Sequence, residues 1–491
     1  MTPIEELTIE VGEGRVSINS SQGGKAGADF TPSELDLRIV NIFEDWLRKG
    51  KVTEDEELEV LGNILYRIIF IGEVKTFFEN RLKDLEQKRR RNEVRRDARL
   101  PIALVFREDA SDWARLPWEF LYYPADNMPL ATKTSLVFLR RTPTDANREQ
   151  LDPPKDLRVL IVVVKPEEFM EGIDADDATK YTERFNAIVS QVKSLKDLKI
   201  DVNVLAAPTL ESLAAALKTE PHVVHYIGYG KYEKDGQIAL YDPDLAKLDW
   251  YSKARFTDCF NVEGTPPRLV FLQMCQGPQK DIYDYYLKAN FAELAPEIIR
   301  KHVPVVVAMR YPVLPEVALK FTQKFYETLA KGRSVATAVQ EARWFSTLGK
   351  KDRNIGSPVL FMHSNDGLIL SLTDAEPEKP APTTPTIGAS AASSPQQSQS
   401  LSEVTEVSFS DVVEAGFAQA QAAHGSVKMY EVSSEIEKLR KFEKDMEALQ
   451  KAIAERVQEL SLNDPSSKLV SVLNAMSKKL KSQQSELAEA K

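Results

Sequence analysis

The sequence predicts an α/β fold with a mostly parallel sheet and helices on both faces, followed by a C-terminal helical segment. From residue 157 onward, short apolar runs alternate with helix-length amphipathic stretches, which is typical of repeated βα units. Residues 157–164 form a near-continuous apolar run, as expected of a strand buried on both faces of a parallel sheet. Residues 432–460 carry an apolar stripe at helical spacing beyond a segment rich in Pro and Ser.

The first 140 residues predict a smaller set of mixed elements. Residues 1–20 alternate apolar and polar residues around Gly12-Glu13-Gly14, which predicts a β-hairpin. The sequence Thr31-Pro32-Ser33-Glu34 is typical of a helix N-terminus, and the apolar stripe that follows it reaches Trp46. The remaining elements of this region are two helices and two strands, over residues 58–69, 73–96, 100–106 and 135–140.

The alternating region predicts six strands and four helices. The strands cover residues 157–164, 200–205, 223–227, 268–273, 304–309 and 357–361. The helices cover residues 178–195, 209–218, 314–331 and 334–347. In sheets of this type the functional site lies beyond the carboxyl ends of the strands.

The chain divides into four parts by composition. Residues 1–150 and 151–374 hold the elements above, and residues 375–405 are expected to be a disordered linker because they contain almost no large apolar residues. Residues 406–491 form a helical tail, in which Asn463-Asp464-Pro465 separates two amphipathic helices. Their apolar faces must be covered by packing. The two helices can pack on each other as a hairpin, on a second copy, on the rest of the chain or on a partner protein. We expect a docking element or a coiled coil, since the linker is longer than folding back requires.

Composition narrows the classes of function. The 64 basic and 74 acidic residues give a net charge of −10, which argues against nucleic-acid binding. No apolar run reaches 18 residues and the N-terminus lacks the pattern of a secretory signal, so we expect no membrane span or signal peptide. The two cysteines, Cys259 and Cys275, suit a reducing cytoplasm. No Cys/His spacing has the form of a zinc site, so we expect no metal and no cofactor.

A candidate nucleophile stands at the end of a buried strand. Residues 269–277 read Leu-Val-Phe-Leu-Gln-Met-Cys-Gln-Gly, so that a strand ends at Cys275 and a glycine turn follows at Gly277. The strand fixes the sulfur at the carboxyl edge of the sheet, and the turn frees backbone N–H groups for an oxyanion. Residues 273–277 differ at one position from the caspase pentapeptide Q-A-C-[RQG]-G, whose partner histidine lies about 50 residues upstream.

That upstream position identifies the resemblance. Residues 221–230 read Pro-His-Val-Val-His-Tyr-Ile-Gly-Tyr-Gly, which resembles the CHAT family, relatives of caspases and separase, in which this strand typically ends H-F-x-G-H-G. The resemblance continues in order through residues 116–122, 134–141, 291–313, 331–343 and 356–361, and does not cover residues 375–491. It implies a caspase-like sandwich of the cysteine peptidase clan.

The resemblance also implies a site, with one departure. It places the nucleophile on Cys275 and the oxyanion donors on the backbone of Cys275 and Gly230, supported by Gly228, Gln273 and Gly277. The second family histidine, the general base, falls on Tyr229. A phenol with a pKa near 10 is protonated at pH 7 and cannot accept the thiol proton. We therefore expect a catalytically impaired peptidase that acts as a regulatory or protein-interaction module, and the resemblance implies a setting in bacterial signalling or defence.

Two alternatives remain open. His225 matches the first family histidine and is either a core residue or a substitute base for an active cysteine endopeptidase that uses Cys275. In the second alternative, the protein binds a peptide without cleaving it, and Cys275 only lines the binding groove. On the main hypothesis no histidine nitrogen lies within about 4 Å of the Cys275 sulfur, and the Tyr229 side chain points toward it.

Overall fold

A single mixed sheet organises the chain. The computed structural model describes residues 5–48, 55–94, 99–142, 154–164, 175–194, 200–232, 236–242, 247–261, 264–274, 291–311, 313, 315–347, 353–363, 429–463 and 468–489. Among these residues eleven strands form one sheet, and two small antiparallel sheets accompany it. The strands are β1 (Leu7–Gly12), β2 (Arg15–Ser20), β3 (Lys25–Asp29), β4 (Leu100–Phe106), β5 (Tyr122–Tyr123), β6 (Met128–Pro129), β7 (Leu136–Arg141), β8 (Leu157–Val163), β9 (Ile200–Ala206), β10 (Val223–Gly228), β11 (Gly230–Tyr232), β12 (Gly236–Asp242), β13 (Lys247–Ser252), β14 (Leu269–Met274), β15 (Val305–Met309) and β16 (Pro358–Met362).

The helices lie between these strands and after them. They are α1 (Glu34–Arg48), α2 (Asp55–Ile69), α3 (Gly72–Arg90), α4 (Ala175–Lys193), α5 (Leu210–Leu217), α6 (Lys253–Asp258), α7 (Ala295–Arg300), α8 (Pro315–Ala330), α9 (Val335–Thr347), α10 (Met429–Asn463) and α11 (Lys468–Glu489). Among the described residues, none of them is long and apolar enough to cross a membrane.

The large sheet confirms the predicted fold class. Its strand order is β3-β2-β1-β4-β7-β16-β15-β14-β10-β8-β9. Seven of its ten pairings are parallel, and the antiparallel ones are β3–β2, β2–β1 and β16–β15. The run over β8, β10, β14 and β15 is parallel throughout and almost fully buried, as the continuous apolar sequences predicted.

Several elements differ from the prediction. The helix predicted over residues 73–96 ends at Arg90, because Asn92 adopts a left-handed conformation (φ 55°) that terminates it. The strand β3 was not expected, since its sequence Lys-Ala-Gly-Ala-Asp has low strand propensity and becomes a strand only by pairing with β2. The three-stranded sheet β11–β12–β13, directly after Tyr229, was also not expected.

Two hydrophobic cores share the large sheet. One surrounds β8, β10, β14 and β15 with α8 and α9, and the other surrounds β1 and β4 with α1 and α2. The sheet itself continues across the predicted boundary at residue 150, because β7 pairs with β16 through Arg140 and Phe361. The division of the chain at that boundary stays a prediction, and the predicted linker over residues 375–405 lies outside the described residues.

The C-terminal helix pair, α10 and α11, packs on the N-terminal part of the chain. The helices contact each other, α10 contacts α1, and α11 contacts α2. Their buried apolar side chains belong to the second core: Met446, Leu449, Ala452, Ile453, Leu460, Leu469, Val470, Leu473, Met476 and Leu480. This part of the apolar faces predicted to need a partner is thus covered within this chain. Whether the pair also docks on another protein or forms a coiled coil stays a prediction.

Candidate active site

The carboxyl ends of β10 and β14 lie side by side at one edge of the sheet. The strands are parallel and hydrogen-bonded in register, with Gly228 opposite Met274. In the sequence, Tyr229 directly follows β10 and Cys275 directly follows β14. Cys275 and Gly277 lie outside the described residues, so the predicted distance from the Cys275 sulfur to any histidine stays a prediction.

His225 is held by a buried chain of hydrogen bonds. Its Nε2 lies 2.9 Å from Gln273 Oε1, and its Nδ1 lies 3.2 Å from the hydroxyl of Tyr326 on α8. Burial raises the pKa of Tyr326 far above its usual value, so this hydroxyl stays protonated and donates to Nδ1. Nε2 then carries the proton and donates to Gln273, which also accepts from the Thr322 hydroxyl at 2.9 Å. Both ring nitrogens are therefore engaged in the core.

The surroundings of His225 keep it neutral. Its side chain is 0% exposed and stacks on Phe271, with ring centroids 4.2 Å apart and planes within 7°. Burial, partly offset by the hydrogen bond to Gln273, lowers the pKa of His225 to about 3. An imidazole in this setting is a poor proton acceptor at neutral pH, because protonation would bury a charge and its hydrogen-bond partners, Gln273 and Tyr326, carry none to offset it.

Tyr229 is 1% exposed and lies in the core around β10. Its backbone is fixed by the hydroxyl of Tyr226, which accepts from the Tyr229 N–H at 3.3 Å and donates to the Ala239 carbonyl at 2.8 Å. The Ala239 N–H in turn donates to the Tyr229 carbonyl at 3.1 Å. The Tyr226 hydroxyl thus bridges the Tyr229 N–H and the Ala239 carbonyl, which would otherwise bond each other directly.

The two glycines beside Tyr229 have separate roles. A Cβ at Gly228 would lie 2.5 Å from the Tyr226 hydroxyl, so only glycine leaves room for that hydroxyl. Gly230 pairs with Ile238 in the antiparallel ladder. Tyr229 and Ala239 are joined by the Ala239 N–H and by the bridging Tyr226 hydroxyl, so the next pair, Gly230–Ile238, occupies the alternate position of the ladder, where the N–H points away from β12. The role of the Gly230 N–H as an oxyanion donor stays a prediction.

The other described histidines lie at the opposite edge of the sheet. The Nδ1 of His222 accepts the Arg158 N–H at 3.0 Å at the start of β10, where burial lowers the pKa of His222 to about 4. His302 occupies a left-handed turn (φ 70°) before β15. The N–H of His363 donates to the Pro304 carbonyl at 2.9 Å, because β16 runs antiparallel to β15. Within the described part of the chain, only His225 lies near the carboxyl edge that holds Tyr229.

Several residues that carry the resemblance meet elsewhere, in a buried charged cluster. Arg140 binds Glu119 through two contacts of 2.8 and 2.5 Å, and also donates to the Leu116 carbonyl at 3.0 Å. Arg310 binds Glu44 at 2.8 Å and donates to the same Leu116 carbonyl at 3.2 Å. The motif Leu-Pro-Trp-Glu at residues 116–119 is therefore a scaffold that joins α1, β7 and the end of β15. The sequence pattern alone does not show that these charged side chains bind one another.

These features agree with the family match. A model of the CHAT domain matches residues 82–354, more than half of the chain. The chain belongs to the CHAT domain family. The match starts in α3 and ends before β16, so it includes the Leu116–Glu119 scaffold, Tyr229 and Cys275. The family predicted from residues 116–361 is confirmed.

Comparison with known proteins adds distant structural likenesses. No curated protein matches the chain. The CHAT protein is similar to separase in the Saccharomyces cerevisiae separase–securin complex, with a TM-score of 0.41 and 13% identity over 73% of this chain and 30% of that chain. It is also similar to the Arg-specific cysteine proteinase gingipain R, with a TM-score of 0.34 and 10% identity over 55% of this chain and 63% of that chain. A third similar structure is the complex of Porphyromonas gingivalis RgpB pro- and mature domains. Its TM-score is 0.35 and its sequence identity 10%, over 70% of this chain and 78% of that chain.

Proposed function

We propose that this protein is a catalytically impaired CHAT-family peptidase that works as a protein-interaction module. One observation carries the proposal: tyrosine stands at position 229, where the family pattern has its catalytic histidine, while the nearby imidazole of His225 has both nitrogens bonded inside the core. The pairing of β10 with β14, which ends at Gly228, and the pairing of Gly230 with Ile238 support the proposal.

The missing base removes two steps of the reaction. A thiol without assistance has a pKa near 8.5 and is only a few per cent thiolate at pH 7. Loss of a positioned base costs on the order of 10²–10⁴ in rate. The leaving amine of a peptide would also lack a proton donor. Turnover would then be slow, whereas binding of a peptide or protein needs no general base.

An active cysteine endopeptidase that uses His225 is the alternative. It is favoured by one contact: His225 binds Gln273, which precedes Cys275 by two residues. To act, the imidazole would have to leave Gln273 and Tyr326 and cross from the buried face to the strand ends. The alternative therefore requires a rearrangement, and the impaired peptidase requires none.

The cellular setting rests on the family resemblance and the cysteine content. We place the protein in bacterial signalling or defence, where it would act on a protein or peptide partner. The free thiol of Cys259 in the core favours the reducing cytoplasm. The C-terminal helix pair is a candidate for the docking element, in addition to its contacts with α1 and α2.

The two cysteines make the test direct. Burial raises the pKa of Cys259 to about 11, so its thiol reacts slowly and labelling by iodoacetamide reports Cys275. We expect the labelling rate of the wild-type chain to follow a single ionisation near pH 8.5, with no faster phase at neutral pH, and to disappear in Cys275→Ala. A Cys259→Ala variant is the control and should keep the same profile.

A peptide-library cleavage assay completes the test. We expect the wild-type chain and Cys275→Ala to give the same background. Cleavage by the wild-type chain that is lost in both Cys275→Ala and His225→Gln would overturn the proposal and establish the alternative.

A further inference from the structure

The surface of α1 and α2 that holds the C-terminal helix pair is both apolar and acidic. Asp36 on α1 and Glu57 on α2 are 4% and 5% exposed. Arg456 on α10 binds Asp36 at 2.6 Å, and Lys479 on α11 approaches Glu57 at 3.8 Å. The basic residues of the helix pair thus meet buried carboxylates within a contact that is otherwise hydrophobic.

This contact does not fully satisfy its charges. Burial raises the pKa of Asp36, and Arg456 offsets the rise only in part. The second carboxylate oxygen of Asp36 is buried and has no hydrogen-bond partner among the described residues. Desolvation of a buried ion pair generally cancels much of its attraction. Water would solvate Asp36 once the helix pair left, which favours a separable contact over a permanent one.

The helix α1 connects this contact to the candidate active site. Glu44, two turns beyond Asp36, accepts from Arg310 at 2.8 Å and from the Tyr311 hydroxyl at 2.5 Å. Arg310 continues the register of β15 with β14 two residues beyond the pair Leu272–Ala308, level with Met274. One rigid helix of about 15 residues therefore binds the C-terminal helix pair at one end and the residues beside the end of β14 at the other.

We propose that the C-terminal helix pair is a releasable clasp on α1 and α2, and that α1 transmits its seating to the segment after β15. The occupant of the α1–α2 surface is the chain's own helix pair. The 65 residues from 364 to 428 are enough to keep it tethered after release, at an effective concentration that favours rebinding. The clasp does not depend on whether Cys275 cleaves peptides.

Hydrogen exchange of the full chain tests the clasp without any variant. We expect the amides of α10 and α11 to exchange as one unit, roughly a hundredfold faster than those of β10 and β14, because release is a partial opening that leaves the sheet intact. Exchange of the helix pair at the same rate as β10 and β14 would mean that it opens only with global unfolding. That result would overturn the proposal.

Three full-length variants test the coupling. Arg456→Glu places two acids together at Asp36, and Lys451→Glu makes the same charge change at an exposed position of α10 as a matched control. We expect Arg456→Glu to speed exchange in α10 and α11 roughly a hundredfold and to speed exchange at residues 309–311 as well, with β8 and β10 unchanged. Lys451→Glu should match the wild type, and Arg456→Lys should fall between.

Two results of these experiments would contradict the clasp. Faster exchange in α10 and α11 without any change at residues 309–311 would remove the coupling through α1. If the wild-type protein is a dimer in solution and Arg456→Glu is a monomer, the helix pair binds a second copy instead of its own chain. Binding of a synthetic peptide of residues 429–491 to Arg456→Glu but not to the wild type would support the clasp, since only the variant leaves its surface open.

Discussion

The Nε2 of His225 lies 2.9 Å from the Oε1 of Gln273, across two neighbouring parallel strands. Gln273 belongs to the pentapeptide that contains the candidate nucleophile, and His225 belongs to the strand that leads to Tyr229. The two halves of the family site are therefore joined inside the core, before either strand reaches the edge where chemistry would occur. This hydrogen bond ties the imidazole to the core. Variants of His225 and Tyr229 can therefore separate the impaired peptidase from an active one that uses His225.

Restoring the family histidine should raise the reactivity of the thiol. In Tyr229→His we expect labelling of Cys275 at pH 7 to become roughly 10- to 100-fold faster, because an imidazole at that position can accept the thiol proton. The rate is measured with iodoacetamide over pH 5–9, and the variant should show a new ionisation at or below neutral pH. Tyr229→Phe is the matched control and should behave as the wild type. An equal rise in both variants would mean that the tyrosine hydroxyl merely restricts access.

Removal of the buried imidazole should cost stability and leave the thiol unchanged. His225→Phe deprives Gln273 Oε1 and the Tyr326 hydroxyl of a partner, so we expect a loss of about 1–3 kcal/mol in the free energy of unfolding. Urea denaturation gives this value, and the labelling profile of Cys275 should not move. Thr322→Val, which removes the other donor to Gln273, should cost less. A thiol profile that shifts in His225→Phe but not in Thr322→Val would favour His225 as a base.

Stability should fall on mild acidification because of the same residue. The pKa of His225 is about 3 in the folded chain and near 6.5 in the unfolded chain. The unfolded state therefore binds more protons below pH 6.5, so the contribution is complete above that pH and is lost as pH falls toward 3. We expect a slope of about 1.4 kcal/mol per pH unit from this group in that window. Thermal unfolding from pH 7 to pH 4 measures it, and His225→Phe should flatten the curve.

Breaking an ion pair in the buried charged cluster should lower the free energy of unfolding far more than breaking a surface ion pair. In Glu119→Gln the guanidinium of Arg140 keeps its buried position without a carboxylate, and we expect a loss of about 3–5 kcal/mol. The control is Asp112→Asn, which breaks an exposed pair with Arg115 and should change stability by less than about 1 kcal/mol. Both are compared by urea denaturation. Equal effects in the two variants would show that the cluster does not hold residues 116–119 in place.

Much of the parallel sheet could be predicted because its strands are mostly apolar. The runs that became β8, β10, β14 and β15 have no competing interpretation once helices separate them. The direction of β16 could not be predicted in the same way, since a five-residue apolar strand does not encode which way it runs. That direction is what moves His363 to the amino edge of the sheet, away from Tyr229.

The polar parts of the candidate site were harder to predict. Only the hydrogen-bond partners of His225 distinguish a core histidine from a general base. One of them, Tyr326, lies 101 residues away in the sequence, so the pairing could not be predicted. The acids Glu44 and Glu119 look like ordinary surface charges in an amphipathic pattern, because periodicity does not record that an arginine lies opposite. The identity of Tyr229 was visible at once, since a motif needs only the local sequence.

The position of β7 beside β16 has a further consequence for assembly. It makes β16 an interior strand, so β3 and β9 are the outer strands of the sheet among the described residues. Both carry devices that discourage addition of a strand from another molecule: β3 has exposed Lys25 and Asp29 at its two ends, and β9 has the exposed Asp201. Edge-to-edge polymerisation is therefore disfavoured, and a binding protein would meet loops and helix faces instead of extending the sheet.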